Sequence, residues 1–179
     1  MATLDAKLLA IQRSNGEVLW TAELEDYKKG YSGTSSPLIV GDMVITGIAG
    51  GEYGARGFID AYALTSGERL WRRYTVPSEG EKGVETWAGD SWKTGGGPTW
   101  AIGTYDPQTD LLYWPVGNPS PDWNGDVREG DNLYTNSVLA LDPKTGEMKW
   151  YYQFTPHDLW DYDATNGIVV DDIVVDGKT

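Results

Sequence analysis

The chain is built from short apolar stretches set apart by Gly, Pro, Asn and Asp, and no stretch sustains a 3.6-residue apolar period between caps. That pattern predicts strands and turns with little helix. Three stretches share one layout: Ala10–Trp20, Ala61–Trp71 and Ala140–Trp150. Each carries an Ala, a turn region ending in Gly-Glu, and a Trp four residues past the Gly. Gly16, Gly67 and Gly146 supply the positive φ that a tight hairpin turn demands. The flanks LLAI/EVLW, FIDAY/RLW and SVLAL/MKW read as paired strands.

Further hairpins lie between these. SSPLIV and MVITGI flank a Gly-Asp turn, and PTWAIGTYD and LLYWPVGN flank PQTD. Residues 33–78 and 98–154 are each expected to form four antiparallel strands. Residues 8–24 are expected to supply the last two strands of a preceding unit. Within 160–179, the stretch 164–176 is expected to begin the next one. Four-stranded sheets in series, each with a Trp on its outer hairpin, predict an all-β fold of β-propeller blades. A blade cannot bury both faces alone and needs neighbours. Two complete blades and two half blades fall short of a ring of typically four to eight. The chain is therefore expected to be a fragment of a larger propeller; a small self-contained all-β domain is the alternative.

The 179 residues are 40% apolar, enough for a core, with nine Trp and eleven Tyr against two Phe. No apolar run reaches about 18 residues, so no membrane helix is predicted. The N-terminus, MATLDAKLLAIQ, lacks a basic head followed by an apolar stretch, so no signal peptide is expected in this segment. The absence of cysteine excludes disulfides, Cys-ligated zinc and thiol catalysis here. A net charge of −13, from 27 acidic and 14 basic residues, argues against a nucleic-acid partner. The acids are dispersed; they keep the chain soluble, or attract a basic partner or a cation.

Two segments interrupt the blade rhythm: Ser78–Gly97, with residues 79–97 as an active-site loop, and Pro119–Asn136. Long loops in compact repeats are usually functional. Glu52, in GGEYGARG, ends the second strand of its blade, and Gly50 and Gly51 beside it permit close approach to a ligand. Asn118, in VGNPSP, ends the equivalent strand of the next blade. Equivalent strand ends converge on one mouth of a propeller, so this amide oxygen and carboxylate can share a hard cation. The bland readings are an exposed turn Glu and a turn-initiating Asn before Pro119.

The run His157-DLWDYDATN carries Asp158, Asp161 and Asp163. In extended chain Asp161 and Asp163 point to one side, where two carboxylates repel unless a cation or proton joins them. One would bind metal while the other takes a substrate proton; alternatively, all three cap turns. His157, the only histidine, is expected to be structural. Trp100, behind three glycines, offers a floor for a planar cofactor or is an ordinary core ring. Trp20, Trp71 and Trp150 are expected to serve blade packing. No dinucleotide fingerprint, P-loop or serine nucleophile elbow is present.

The strings GGEYGARGFIDAY, ETWAGDSWKTGGGPTW, YDPQTDLLYWPVGNPSP, REGDNLYTNSVLALDPKTGEMKW and FTPHDLWDYDATN together resemble the quinoprotein alcohol dehydrogenases, the pyrroloquinoline quinone (PQQ) enzymes that include methanol dehydrogenase. The repeated Trp hairpin also resembles that family's tryptophan docking motif. The resemblance implies an eight-bladed propeller with PQQ in its central funnel. It implies Glu52, Asn118 and Asp161 as metal ligands, and Asp161 as the base that takes the alcohol proton while a hydride passes to PQQ. It implies Trp100 beneath the PQQ rings, with Thr34 and the backbone at Gly50 and Gly51 also contacting the cofactor. Asp163 stands where lanthanide-using members carry an extra aspartate, so the metal is a lanthanide or calcium.

The partners so implied are a small alcohol, a cytochrome c-type acceptor and a homodimeric parent; the location implied is the periplasm. Ala49 and Pro98 depart from the serine and threonine that some members place near PQQ. The rival readings are a quinoprotein sugar or polyol dehydrogenase and a non-catalytic propeller scaffold. With its other blades missing, the chain is expected to be inactive alone.

Overall fold

A computed structural model describes residues 1–173. Ten strands form three antiparallel sheets in chain order. Strands β1 (Lys7–Ile11) and β2 (Val18–Glu23) make a hairpin. A four-stranded meander follows: β3 (Leu38–Val40), β4 (Met43–Gly47), β5 (Phe58–Ala63) and β6 (Arg69–Tyr74). A second meander has β7 (Thr104–Asp106), β8 (Leu111–Val116), β9 (Ser137–Leu141) and β10 (Met148–Gln153). The helices among the described residues are single 3₁₀ turns. These meanders are the blades expected over 33–78 and 98–154.

The repeated Ala and Trp have a geometric cause. Ala10, Ala61 and Ala140 sit opposite Trp20, Trp71 and Trp150, and each hairpin has a register irregularity beside that pair. The three turns are superposable in their bonding: Gly16, Gly67 and Gly146 donate their N–H to the carbonyls of Gln12, Ala63 and Asp142. Trp20 and Trp71 then reach into the next sheet. The Trp20 indole N–H donates to Leu64 O at 3.0 Å, and Trp71 donates to Pro143 O at 3.0 Å. The rings lie over Gly67 and Gly146, where an added Cβ would stand 2.5 and 2.6 Å from them. The missing side chain is what admits the indole.

The middle sheet is buried on both faces by two-residue alternation. Val44, Phe58 and Tyr62 pack with Leu8, Ala22 and Leu24 of the first hairpin. Met43, Ile45, Ile59 and Ala61 face Leu112, Trp114, Leu139 and Leu141 of the third sheet. A polar stitch crosses the first interface: buried Asp60 accepts from Arg72 at 2.7 Å and from the Tyr62 hydroxyl at 2.7 Å, while Arg72 also reaches Glu25 at 2.8 Å.

The expected pair of strands within 164–176 is not formed over residues 164–173; the rest of that stretch lies outside the described residues. No strand among the described residues runs alongside to supply a hydrogen-bond ladder, and the segment is held by Thr104, whose hydroxyl donates to Ile168 O at 2.7 Å. Of the half blade expected over 160–179, residues 160–173 carry no strand, and the remainder lies outside the described residues.

Candidate functional site

The run Gly95–Thr99 is threaded between the two meanders and joins their inner ends. On one side Thr99 N donates to Ile48 O and Gly57 N to Gly96 O, both at 2.8 Å. On the other, Gly97 N donates to Asn118 O at 2.7 Å and Gly117 N to Pro98 O at 2.8 Å. Pro98 lies between the ends of β4 and β8. A Cβ on Gly51 would stand 2.7 Å from the Pro98 ring, and one on Gly117 would stand 3.1 Å from it. Glu52 does not end β4 as expected: it sits five residues beyond it, in the 3₁₀ turn Gly51–Tyr53, from where its charge acts on Asp122 and Asp163 near Asn118.

Gly50 and Gly51 are buried, and the close approach they allow is to the chain itself, at Gly30 and Pro98. Thr34 is exposed, in the lead-in to β3, after the bridge that joins Ser32 to Ala49. Trp100 precedes β7 instead of lying in the inner strand, and 38% of it is exposed beside the mouth.

The segment 157–163 lies across this mouth without being extended. Asp161 (φ 62°) and Asp163 (φ 47°) both occupy the left-handed region, so the alternation expected of an extended chain does not place them. Aspartate tolerates that region because its short polar side chain can bond locally. Asp158 creates the geometry: fully buried, it accepts the amides of Trp160 (3.0 Å) and Tyr162 (2.9 Å) and the Asn136 side chain (2.7 Å). It is therefore the turn-capping aspartate of the three. His157 is structural, with Nδ1 on Gly130 O at 2.8 Å and its ring packed on Gly125.

Buried Asn118 joins exposed Asp161 and half-buried Asp163. Its Nδ2 donates to Asp161 Oδ1, and its Oδ1 accepts the Asp163 amide at 2.9 Å. Asp163 lies against Gly117, where a Cβ would stand 2.9 Å from its carboxylate oxygen. Burial raises the Asp163 carboxyl above its ordinary range; the charges of Asp161 and Glu52 add to this, and a hydrogen bond from Trp100 opposes it.

Sequence reasoning missed a further carboxylate. Asp122 is half-buried in the loop after Asn118 and is pushed up to about 6, first by burial, then by Asp161 and Glu52. Its only advance signal was its place in a long loop.

Among the described residues, no three carboxylate or histidine side chains stand together in a geometry that holds a cation. The structure gathers Asn118, Asp161 and Asp163 in contact and brings the charge of Glu52 to bear on them, without closing a ligand shell. Acidic groups crowded at one mouth separate or retain protons unless a cation joins them. An oxygen-rich, anionic donor set of this kind fits a hard cation. An exposed indole beside it fits a flat ring system.

The "Glucose/ethanol/alcohol dehydrogenase, beta-propeller domain" family, a PQQ family, matches residues 14–179. The chain is 47% identical to the quinoprotein alcohol dehydrogenase PedH of Pseudomonas putida, over 93% of this chain and 31% of that protein. It is 41% identical to methanol dehydrogenase [cytochrome c] subunit 1 of Methylorubrum extorquens, over 91% of this chain and 29% of that one. Among solved structures, a europium-containing methanol dehydrogenase superposes with a TM-score of 0.95 at 38% identity, over 99% of this chain and 34% of that chain. The chain spans about a third of the length of these relatives.

Proposed function

The chain belongs to the PQQ glucose/ethanol/alcohol dehydrogenase β-propeller family, and from that premise we propose that the whole protein oxidises alcohols to aldehydes with PQQ and a metal ion. The observation that carries this reading is the Asn118 side chain, which holds Asp161 and Asp163 at one mouth between two blades.

PQQ supplies a two-electron acceptor, and the cation supplies Lewis-acid polarisation. Glu52, Asn118, Asp161 and Asp163 would hold the cation, and Trp100, with Thr34 and the Gly50–Gly51 backbone, would contact the cofactor. Asp161 is exposed and takes the hydroxyl proton of the substrate. The acceptor is a cytochrome c-type protein and the location periplasmic; the name of the Methylorubrum subunit supports the first of these.

Asp163 tilts the site toward a lanthanide. A trivalent ion gains more than calcium from each added negative ligand, since the Coulomb energy scales with charge. The europium in the superposed methanol dehydrogenase supports this reading. The test is to strip the full-length protein of metal, restore PQQ with calcium or lanthanum, and follow dye reduction with methanol, ethanol, glycerol and glucose. Turnover confined to glucose and glycerol would replace the alcohol reading with a sugar or polyol one. No turnover with any of them would remove the enzymatic reading.

A further inference from the structure

Arg128 is a fully buried arginine in the loop after Asn118. Its guanidinium donates to four acceptors: Pro121 O at 3.0 Å, Asp122 O at 3.0 Å, Asn132 Oδ1 at 2.7 Å and Asp158 O at 2.5 Å. Asn132 returns a bond from Nδ2 to Arg128 O at 2.7 Å. Three of the four acceptors are backbone carbonyls, and no carboxylate forms an ion pair with Arg128 among the described residues. Burying a cation against carbonyls is costly, and such a group persists where it fixes an arrangement.

The arrangement it fixes is specific. Pro121 and Asp122 lie three and four residues after Asn118 in the chain, whereas Asp158 lies at the start of the segment that carries Asp161 and Asp163. Arg128 holds the Asp158 backbone, and the Asp158 carboxylate holds the amides of Trp160 and Tyr162, the two neighbours of Asp161. Asn118 then closes the circuit to Asp161 and Asp163. We infer that Arg128 is a positioning residue, whose guanidinium ties the loop after Asn118 to the 158–163 segment and so sets Asp161 and Asp163 against Asn118. Lysine cannot replace it, because one ammonium has three donors from one point, whereas the planar fork reaches acceptors on both sides.

The structural half of this inference stands on the chain alone; the catalytic half rests on the proposed function. The first readout is therefore hydrogen exchange in the metal-free full-length protein. Arg128→Ala is expected to speed exchange in a peptide spanning 158–165 on the order of tenfold, as buried acceptors lose their partner, and to leave β9 unchanged. The second is steady-state kinetics after loading with PQQ and metal. Arg128→Ala is expected to lower kcat on the order of 10²-fold with KM little changed, as for a displaced reacting group, and added guanidinium is expected to restore part of it. Arg128→Lys, which fills much of the space, is expected to show the same two defects without that rescue, and it serves if the alanine variant does not fold. Unchanged exchange over 158–165 in a folded variant overturns the inference. So does a kcat loss matched by equal deprotection of β9. Faster exchange over 158–165 in the variant, together with an inactive wild type, would keep the structural inference and reject the proposed reaction.

Discussion

The Asn118 amide donates to the Asp161 carboxylate across 43 residues of chain, while its oxygen accepts the amide of Asp163. One buried side chain thus connects the end of β8 to exposed Asp161 and half-buried Asp163. Asn118→Ala is expected to lower metal affinity about 10–100-fold or more, the range seen when even outer-shell partners of a metal site are lost. A chelator competition with lanthanum measures this. Unchanged affinity would detach Asn118 from the site.

Asp163 lies against Gly117 because no Cβ intervenes. Gly117→Ala is expected to displace the carboxylate and to weaken lanthanum binding more than calcium binding, as is Asp163→Ala. Melting temperature with each metal, compared with the metal-free protein, reports this through ligand linkage. Equal losses for both ions would argue against a lanthanide preference set by Asp163.

The pH dependence follows from raised carboxyls. Asp122 is pushed up to about 6 and Asp163 is raised above 3.8, both mainly by burial. The folded metal-free protein therefore binds more protons than the unfolded chain in this range. The stabilisation is fully present below the unfolded value near 3.8 and is lost as pH rises through about 6. A bound cation favours the ionised forms, so metal binding is expected to release protons near pH 5 and few at pH 8. Calorimetry in two buffers of different ionisation heat measures the release. Equal release at both pH values, or no effect of Asp122→Asn on it, would contradict the assignment.

The tryptophans separate by role. Trp71→Ala removes a ring seated on Gly146 and a bond to Pro143 O. It is expected to destabilise the fold by roughly 3 kcal/mol without selective loss of PQQ. Trp100→Ala, at an exposed ring, is expected to cost little stability and to weaken PQQ retention by roughly 1–3 kcal/mol if the stacking resembles that of bases on aromatic rings. Thermal melting and cofactor absorbance on the same samples distinguish the two variants.

The blades were legible because their chemistry is local and repeated: Ala opposite Trp, and a Gly turn that admits the preceding blade's indole. Family-like strings singled out Asn118, Asp161 and Asp163, which the structure brings into contact; their roles as ligands and base belong to the proposal. What escaped was the tertiary part. Asp158 and Asp161 look alike in sequence, yet one is a buried cap and the other is exposed. Arg128 opened a family-like string that assigned it no role and Asp122 lay in none, since their roles arise only when the loop after Asn118 folds against residues 157–163. The stretch 164–173 has strand-like composition, but strands need a hydrogen-bond ladder, and no sheet among the described residues includes it.

The central claim is that Asp161 removes the substrate proton at a metal and PQQ site built between these blades. Asp161→Asn preserves shape and removes the base. In the full-length protein, bound PQQ, bound metal and ethanol-dependent dye reduction would be measured on one sample. The expected result is retained cofactor with turnover abolished; turnover near the wild-type rate would contradict the claim.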